Sequence, residues 1–424
     1  MTSPGSAALL EQMTALHPAE IELSLDRTFR LLAALGNPHL HLPPVIHIAG
    51  TNGKGSTLAM LRAGLSAAGL RVHAYTSPHL VRFHERIEIA GQPISEPALA
   101  DALLRTLAAN DGQPVTFFEA TTCAALLAFA ETPAEALLLE VGMGGRMDTT
   151  NVIDTPRLTI LTPVAFDHQA FLGNSLAEIA REKAGILKRG VPCVVGRQHD
   201  DALEVIEAAA ARLGAPLMVH GQHWQVWEEH GRLVFQDETG LLDLPLPALK
   251  GPHQTDNAGI ALAALRHLGH DEATCEAALT RASWPARMQR LRRGPLSEAA
   301  PNAELWLDGG HNPHAAAALA ATLTRLPARP THLVLGMLAS RDPAEFLGPL
   351  VVQVAGLTAV PIPGEPKAHT PETLAAAARA AGLAATTAPD VLQAVTRIAQ
   401  ADPSARILVC GSLYLAGTVL RDNG

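Results

Sequence analysis

Apolar residues run along this chain in two alternating rhythms. Short unbroken runs, "PPVIHIAG" (43–50), "RVHAYTS" (71–77), "ALLLEVG" (136–142), "RLTILTPV" (157–164) and "VPCVVG" (191–196), predict buried strands. Between them, apolar spacing of three and four predicts helices over 56–70, 118–131, 175–187 and 200–213. The helix over 175–187 opens with a capping-box pair, Ser175 and Glu178. Apolar strands alternating with helices imply a mostly parallel sheet covered on both faces. "HWQVWEEHGRLVFQ" (223–236) instead alternates residue by residue about His230-Gly231, which predicts an antiparallel hairpin in the first domain.

The rhythm breaks at "RRGPLSEAAPNAE" (292–304), rich in Pro, Gly, Ala and charge, and resumes with "ELWLDGG", "HLVLGM", "LTAVPIP" and "RILVCGS" separated by helical stretches. The expected organisation is a first domain over 1–291, a linker over 292–304 and a second α/β domain over 305–424. The fold class expected is α/β: a P-loop mononucleotide-binding N-terminal domain on a mostly parallel sheet, with a smaller Rossmann-like C-terminal domain.

Composition narrows the class. A chain of 424 residues that is 48% hydrophobic and 17% charged can bury a large core. Its apolar runs stop well short of the roughly 18 residues that span a bilayer, and its start lacks a secretory pattern, so the cytoplasm is expected. A formal charge of −9 argues against a general nucleic-acid binder. Cys123, Cys193, Cys275 and Cys410 are scattered, and read as core residues rather than a metal or redox site.

The chemistry begins at "HIAGTNGKGST" (47–57), where a strand meets a helix through Gly50-Thr51-Asn52-Gly53-Lys54-Gly55-Ser56. Glycines let the backbone wrap an anion, the helix N-terminus adds positive dipole, and a lysine supplies a point charge for phosphate. Ile48 stands where the common phosphate-loop pattern has its first glycine, and Gly55 separates Lys54 from Ser56. The loop reads as a nucleoside-triphosphate cradle. Polar groups end other strands: Ser77 in "TSPHL", Glu140 in "EVGMGGRMDTTN", Asp167 and His168 in "DHQAFLG". Open α/β sheets bind ligands along that edge. An acid there, Glu140, suits Mg²⁺.

These segments, with "TFFEATT", "REKAGILK", "DNAGIALAAL", "WPARMQ", "DGGHNPHA", "LGMLASRD" and "CGSLYLAG", occur in one order along almost the whole chain. Together they resemble the folylpolyglutamate synthase/dihydrofolate synthase family, within the Mur-ligase-like ATP-dependent amide ligases. The resemblance implies glutamate addition to dihydropteroate and to the γ-carboxylate of reduced folates through an acyl phosphate, by a bifunctional enzyme that is monomeric. It implies ATP and Mg²⁺ at two sites, with a monovalent cation as a further candidate, and it implies no nucleic-acid or membrane partner.

Position by position, the resemblance assigns Thr51, Asn52, Gly53, Lys54, Gly55 and Ser56 to the phosphate cradle. Ser77 and Glu140 become ligands of one Mg²⁺, and His168 a ligand of the second. Lys183 matches a carbamylated lysine; without the resemblance it reads as a surface helix charge. Asn257, Arg287, Asp308 and His311 are assigned to the nucleotide, which places the active site between two domains. Glu22, Arg27, Thr116, Phe117, Phe118, Glu119, Met147, Asp148 and Thr149 are assigned to the pterin-bearing substrate. Phe117 and Phe118 read equally well as core aromatics at a helix start. Gly310, and the Ser340-Arg341 pair, depart from the residues expected there.

Two rivals remain at this point. A sister ligase acting on a sugar nucleotide would carry an extra N-terminal domain, and only about 40 residues precede the loop. A nucleotide-hydrolysing switch would not need a second domain with its own polar strand ends.

Overall fold

The computed structural model describes residues 5–16 and 24–423. The chain divides into two compact units. The first runs through Ala248 and takes in Thr255–Ala282; the second comprises Leu249–Gln254 and everything from Ser283 onward.

The first unit is built on strands β1 (Val45–Ala49), β2 (Val72–Tyr75), β3 (Ile87–Ile89), β4 (Gln92–Pro93), β5 (Ala136–Glu140), β6 (Leu158–Leu161), β7 (Cys193–Val195) and β8 (Leu217–Val219). They lie in the order β4-β3-β2-β5-β1-β6-β7-β8. The pairs from β2 to β8 are parallel, and the β2–β3 and β3–β4 pairs at one edge are antiparallel. Every residue of β1, β2, β5 and β6 is buried, as expected of strands covered on both faces. One face carries helices α1 (Ser6–Ala15), α2 (Asp26–Ala34), α4 (Glu96–Asn110) and α5 (Phe117–Glu131), whose Leu9, Leu31, Leu103 and Leu126 share a core with Val45, Tyr75 and Leu139. Helix α3 (Lys54–Ala67) follows β1 directly.

The expected hairpin forms, and gains a third strand. β9 (Trp224–Glu229), β10 (Arg232–Asp237) and β11 (Gly240–Pro245) make a separate antiparallel sheet. The helix over Asp200–Leu213 and the Ser175–Glu178 capping box also match expectation. All four cysteines are buried and unpaired.

The second unit holds β12 (Gln289–Leu291), β13 (Glu304–Leu307), β14 (Thr331–Leu335), β15 (Gly356–Ala359), β16 (Ala385–Thr387) and β17 (Arg406–Cys410). Their order is β12-β13-β17-β14-β15-β16, parallel except for β12. The expected linker is structured. Gly294, at φ +86°, turns the chain, and Pro295 begins a helix to Ala299, as proline does at a first helical position. Among the described residues, no helix is long and apolar enough to cross a membrane.

Candidate active site

Four polar groups of the first unit come together because four neighbouring strands end side by side. β2, β5, β1 and β6 are adjacent and parallel, so Ser77, Glu140, the Gly50 loop and Asp167-His168 all leave one sheet edge. The register sets Ile48 of β1 opposite Glu140 of β5. Thus Glu140 is buried, 5% exposed, at the mouth of the sheet. Its Oε2 accepts from the Ser77 N–H at 3.3 Å, which brings the two expected Mg²⁺ ligands into contact.

The phosphate-loop glycines are dictated by close packing. Gly50 has φ +148°, and a Cβ there would overlap the Thr162 side chain. Gly53 has φ +89°, and its Cβ would meet the Asn257 amide. Asn257 is therefore seated against the loop. The Thr51 hydroxyl donates to the Ala165 carbonyl and accepts from the Ala165 N–H, both at 3.0 Å, bracing the loop on the segment after β6.

Two lysine side chains meet on one carbonyl. Lys54 Nζ donates to Gly50 O at 3.1 Å, and Lys183 Nζ donates to the same oxygen at 3.0 Å. Lys183 is 4% exposed, so its reading as a surface charge is corrected. The cause is tertiary: the helix Leu176–Lys183 ends against the loop, and its last side chain turns inward. Burial first, and the neighbouring Lys54 charge second, push the Lys183 pKa down to about 7; Asp167 and Asp148 oppose this. A small cavity lies here, lined by Gly50, Lys54, Gly142, Met143, Asp167, His168 and Lys183. His168 sits at φ +51°, a left-handed conformation uncommon outside glycine, and its N–H donates to Asp167 Oδ1 at 2.8 Å.

Among the described residues, no three His, Cys, Asp or Glu side chains are arranged to hold an ion unaided. Mg²⁺ keeps several waters and needs only one or two carboxylates beside substrate phosphate. Glu140 and Ser77 fit that demand.

The residues assigned to the pterin substrate divide. Thr116 and Glu119 cap α5 reciprocally, and Arg27 Nη2 pairs with Glu119 at 2.9 Å. These three therefore engage one another, and what they position is the start of α5. Phe117 stands edge-on to Phe83, with centroids 6.0 Å apart, and Phe118 lies tilted against Tyr75. The Phe118 ring also covers Gly142, where a Cβ would overlap it. The Asp148 carboxylate turns into its own loop. The residue is 7% exposed, and its carboxylate accepts from the N–H of Met143 and from the N–H and hydroxyl of Thr150. Thr149 is buried beside it and Met147 half-buried. Glu22 lies outside the described residues.

In the second unit, Arg287 is flanked by Ala286 at φ +53° and Met288 at φ +40°. Asp308 holds this strained turn: its carboxylate accepts from Met288 N–H and Gly310 N–H, each at 2.7 Å. Burial raises the Asp308 pKa, against the pull of Arg287. His311 Nδ1 donates to Gly309 O at 3.0 Å. Sequence reasoning missed the Asp308 clamp, and it missed Arg86, which stacks on Phe83 and Phe117 and donates to His79 Nδ1 at 2.9 Å. The signal for Arg86 was present, inside "TSPHLVRFHERI".

The Mur ligase middle-domain model matches residues 48–265, and the Mur ligase glutamate ligase domain model matches residues 286–413. The chain belongs to the Mur-ligase family. Within this ligase family it falls in the folylpolyglutamate synthase/dihydrofolate synthase group. It is 35% identical over 413 residues to the folylpolyglutamate synthase of Lacticaseibacillus casei, covering 93% of this chain and 92% of that one. It is similar to the structure of E. coli FolC in complex with DHPP and ADP, with TM-score 0.88, 34% identity and coverage of 99% and 97% of the two chains. It is likewise similar to a bifunctional folylpolyglutamate synthase/dihydrofolate synthase with Mn, AMPPNP and L-glutamate bound, with TM-score 0.87, 33% identity and coverage of 99% and 98%.

Proposed function

We propose that this Mur-family ligase uses ATP to add L-glutamate to dihydropteroate and to the γ-carboxylate of reduced folates. The observation that carries the reading is the convergence of Lys54 and Lys183 on Gly50 O, beside the buried Glu140–Ser77 contact. That arrangement sets cationic and anionic groups along one strand edge, as phosphoryl transfer requires. The relatives described above, with adenine nucleotides, Mn, L-glutamate and DHPP bound, support the choice of ligands.

On this reading, Lys54 and the loop amides neutralise phosphate as the acceptor carboxylate is phosphorylated, and glutamate nitrogen then attacks the acyl phosphate with loss of phosphate. Glu140, Ser77 and His168 would hold the divalent ions, which supply charge neutralisation when bound. Arg287 and His311 of the second unit are assigned to the nucleotide on the resemblance alone.

Lys183 is the proposed carbamylation site. Burial and the neighbouring Lys54 charge push its pKa down to about 7, which favours the neutral amine more than in an ordinary lysine. That amine can bond to the carbon of CO₂ and lose a proton to water. The change replaces a cation beside Lys54 with an oxygen anion suited to Mg²⁺.

The test offers Mg-ATP and glutamate with dihydropteroate or tetrahydrofolate in separate reactions, reading ADP release and product mass. ADP release dependent on both glutamate and pterin, with one added glutamate in each product, is the expected result. Turnover with tetrahydrofolate alone would instead make the enzyme a monofunctional folylpolyglutamate synthase. Pterin-independent ADP release would overturn the ligase reading.

A further inference from the structure

His47 is a polar residue in the middle of β1, between strands β5 and β6, and it is fully buried. Nothing in the phosphate-loop chemistry explains it. Its Nε2 lies 2.9 Å from the Thr150 hydroxyl, 103 positions further along the chain. The Thr150 hydroxyl has a single proton, and that proton goes to Asp148 Oδ1 at 2.6 Å. The Thr150 oxygen must therefore accept, so His47 donates from Nε2. Its Nδ1 is then the bare ring nitrogen, and that atom is buried without a partner, which suits a neutral ring. Asp148 Oδ2 in turn accepts from Met143 N–H at 2.9 Å.

A directed chain thus runs from His47 Nε2–H to the Thr150 hydroxyl and on to Asp148, which holds the backbone of Met143. The loop at its far end matters twice. Gly142, Met143 and Gly144 line the cavity with Lys54 and Lys183. The same loop also rests on the backbone that carries Lys183. Arg146 N–H donates to Glu182 O at 2.8 Å, and Asn151 Nδ2 donates to Gly185 O at 3.0 Å. A Cβ at Gly145 would press on the carbonyls of Glu182 and Lys183.

We propose that His47, Thr150 and Asp148 form a buried relay that positions the Gly142–Gly145 loop and, through it, Lys183. His47 is accordingly a positioning residue, one that touches no ligand. The strand that delivers the phosphate loop thereby also fixes the opposite wall of the cavity. The kinetic part of this proposal rests on the ligase reading above; the structural part does not.

The experiment compares the full chain with His47→Leu, His47→Gln, Thr150→Val and Thr150→Ser, by amide hydrogen exchange and by steady-state kinetics. Loss of one buried hydrogen bond loosens the amides it secures by about tenfold. His47→Leu and Thr150→Val are expected to speed exchange in peptides covering 141–149 by that factor and to leave β7 and β8 unchanged. In the same variants kcat falls by about tenfold to a hundredfold, as for a misplaced reacting group, and KM for ATP stays within about threefold. His47→Gln, whose amide can reach Thr150, and Thr150→Ser, which keeps the hydroxyl, recover most of both losses. Should His47→Leu not fold, His47→Asn stands in, since its amide stops short of Thr150. Parental exchange at 141–149 in the variants lacking the donor would overturn the relay. So would glutamine proving no better than leucine, since the histidine would then act only by its bulk. If the parent shows no glutamate-dependent ADP release, the ligase reading fails, and the exchange measurement still decides the relay.

Discussion

Lys54 and Lys183 share an acceptor, yet their surroundings give them different chemistry. Lys54 opens a helix at the loop and is half-buried, with Nζ on Gly50 O. Lys54→Ala is expected to retain the fold and to lose ATP turnover by about a hundredfold or more, the scale seen when one charge-stabilising group is removed; circular dichroism and ADP release check both. Lys183 is a buried amine with its pKa pushed below the unfolded value of about 10.4. Between about pH 7 and 10 the unfolded chain therefore binds the extra proton, and stability rises with pH through that window. Lys183→Met should flatten this rise, measured as the unfolding midpoint in denaturant at pH 7 and pH 9. An identical slope in both proteins would show that the folded state does not lower the Lys183 pKa. Arg341, where the resemblance leads one to expect lysine, has its carbonyl bonded to His369 Nε2 at 2.9 Å; the structure gives no account of why arginine stands there.

At the level of elements, α5 shows how local rules place functional side chains. Thr116 accepts from Glu119 N–H at 3.1 Å, and Glu119 accepts from Thr116 N–H at 2.7 Å, which fixes where the helix begins. Phe117 and Phe118 are its first two residues, so the cap sets their height above Gly142. Glu119→Gln keeps the cap geometry and loses the charge facing Arg27. It should cost about 1 kcal/mol in stability and raise KM for the pterin substrate more than KM for ATP, measured by thermal unfolding and initial rates. Equal rises in both KM values would separate α5 from acceptor binding. Much at this level was legible. Parallel strands announce themselves as apolar runs that end in a polar residue, and Ser77, Glu140 and His168 were singled out as candidates that way. What stayed hidden depends on long-range contact. Nothing in "REKAGILK" tells that Lys183 reaches a carbonyl 133 positions earlier, because an amphipathic eight-residue helix can end with its last side chain in or out. The inward turn of the Asp148 carboxylate also shows only in the fold, although its partners lie within its own loop. Ser95 caps α4, with Pro97 in its first turn, a start signal that a reading centred on strand ends overlooks.

Across the whole molecule, each of the two larger sheets gathers its candidate site residues along one edge. In the second unit, Arg406 is 2% exposed at the start of β17 and donates to Glu304 Oε2 at 3.0 Å and to Pro327 O at 2.8 Å. Glu304 also pairs with Arg290 and Arg329. Glu304 and Arg406 begin their strands, away from Asp308, His311 and Ser412, which follow strand ends. Glu304→Ala would leave Arg406 buried with its charge unmatched, at a cost of about 3 kcal/mol. The expected outcome is a lower melting temperature with unchanged kcat at temperatures where the protein stays folded. A loss of kcat without loss of stability would contradict this division of labour.

The excursion of Leu249–Gln254 carries a practical consequence for anyone dissecting the gene. Those six residues belong to the second unit although the sequence before and after them belongs to the first. Gly251, at φ +118°, nestles there against the Thr322 hydroxyl of the helix that follows β13. A fragment expressed from Ser283 would leave that helix bare where the excursion covers it, and a fragment stopped at Ala282 would carry six orphaned residues. Neither half can be had by a single cut; a faithful second unit needs 249–254 restored to it, as a fused or co-expressed peptide.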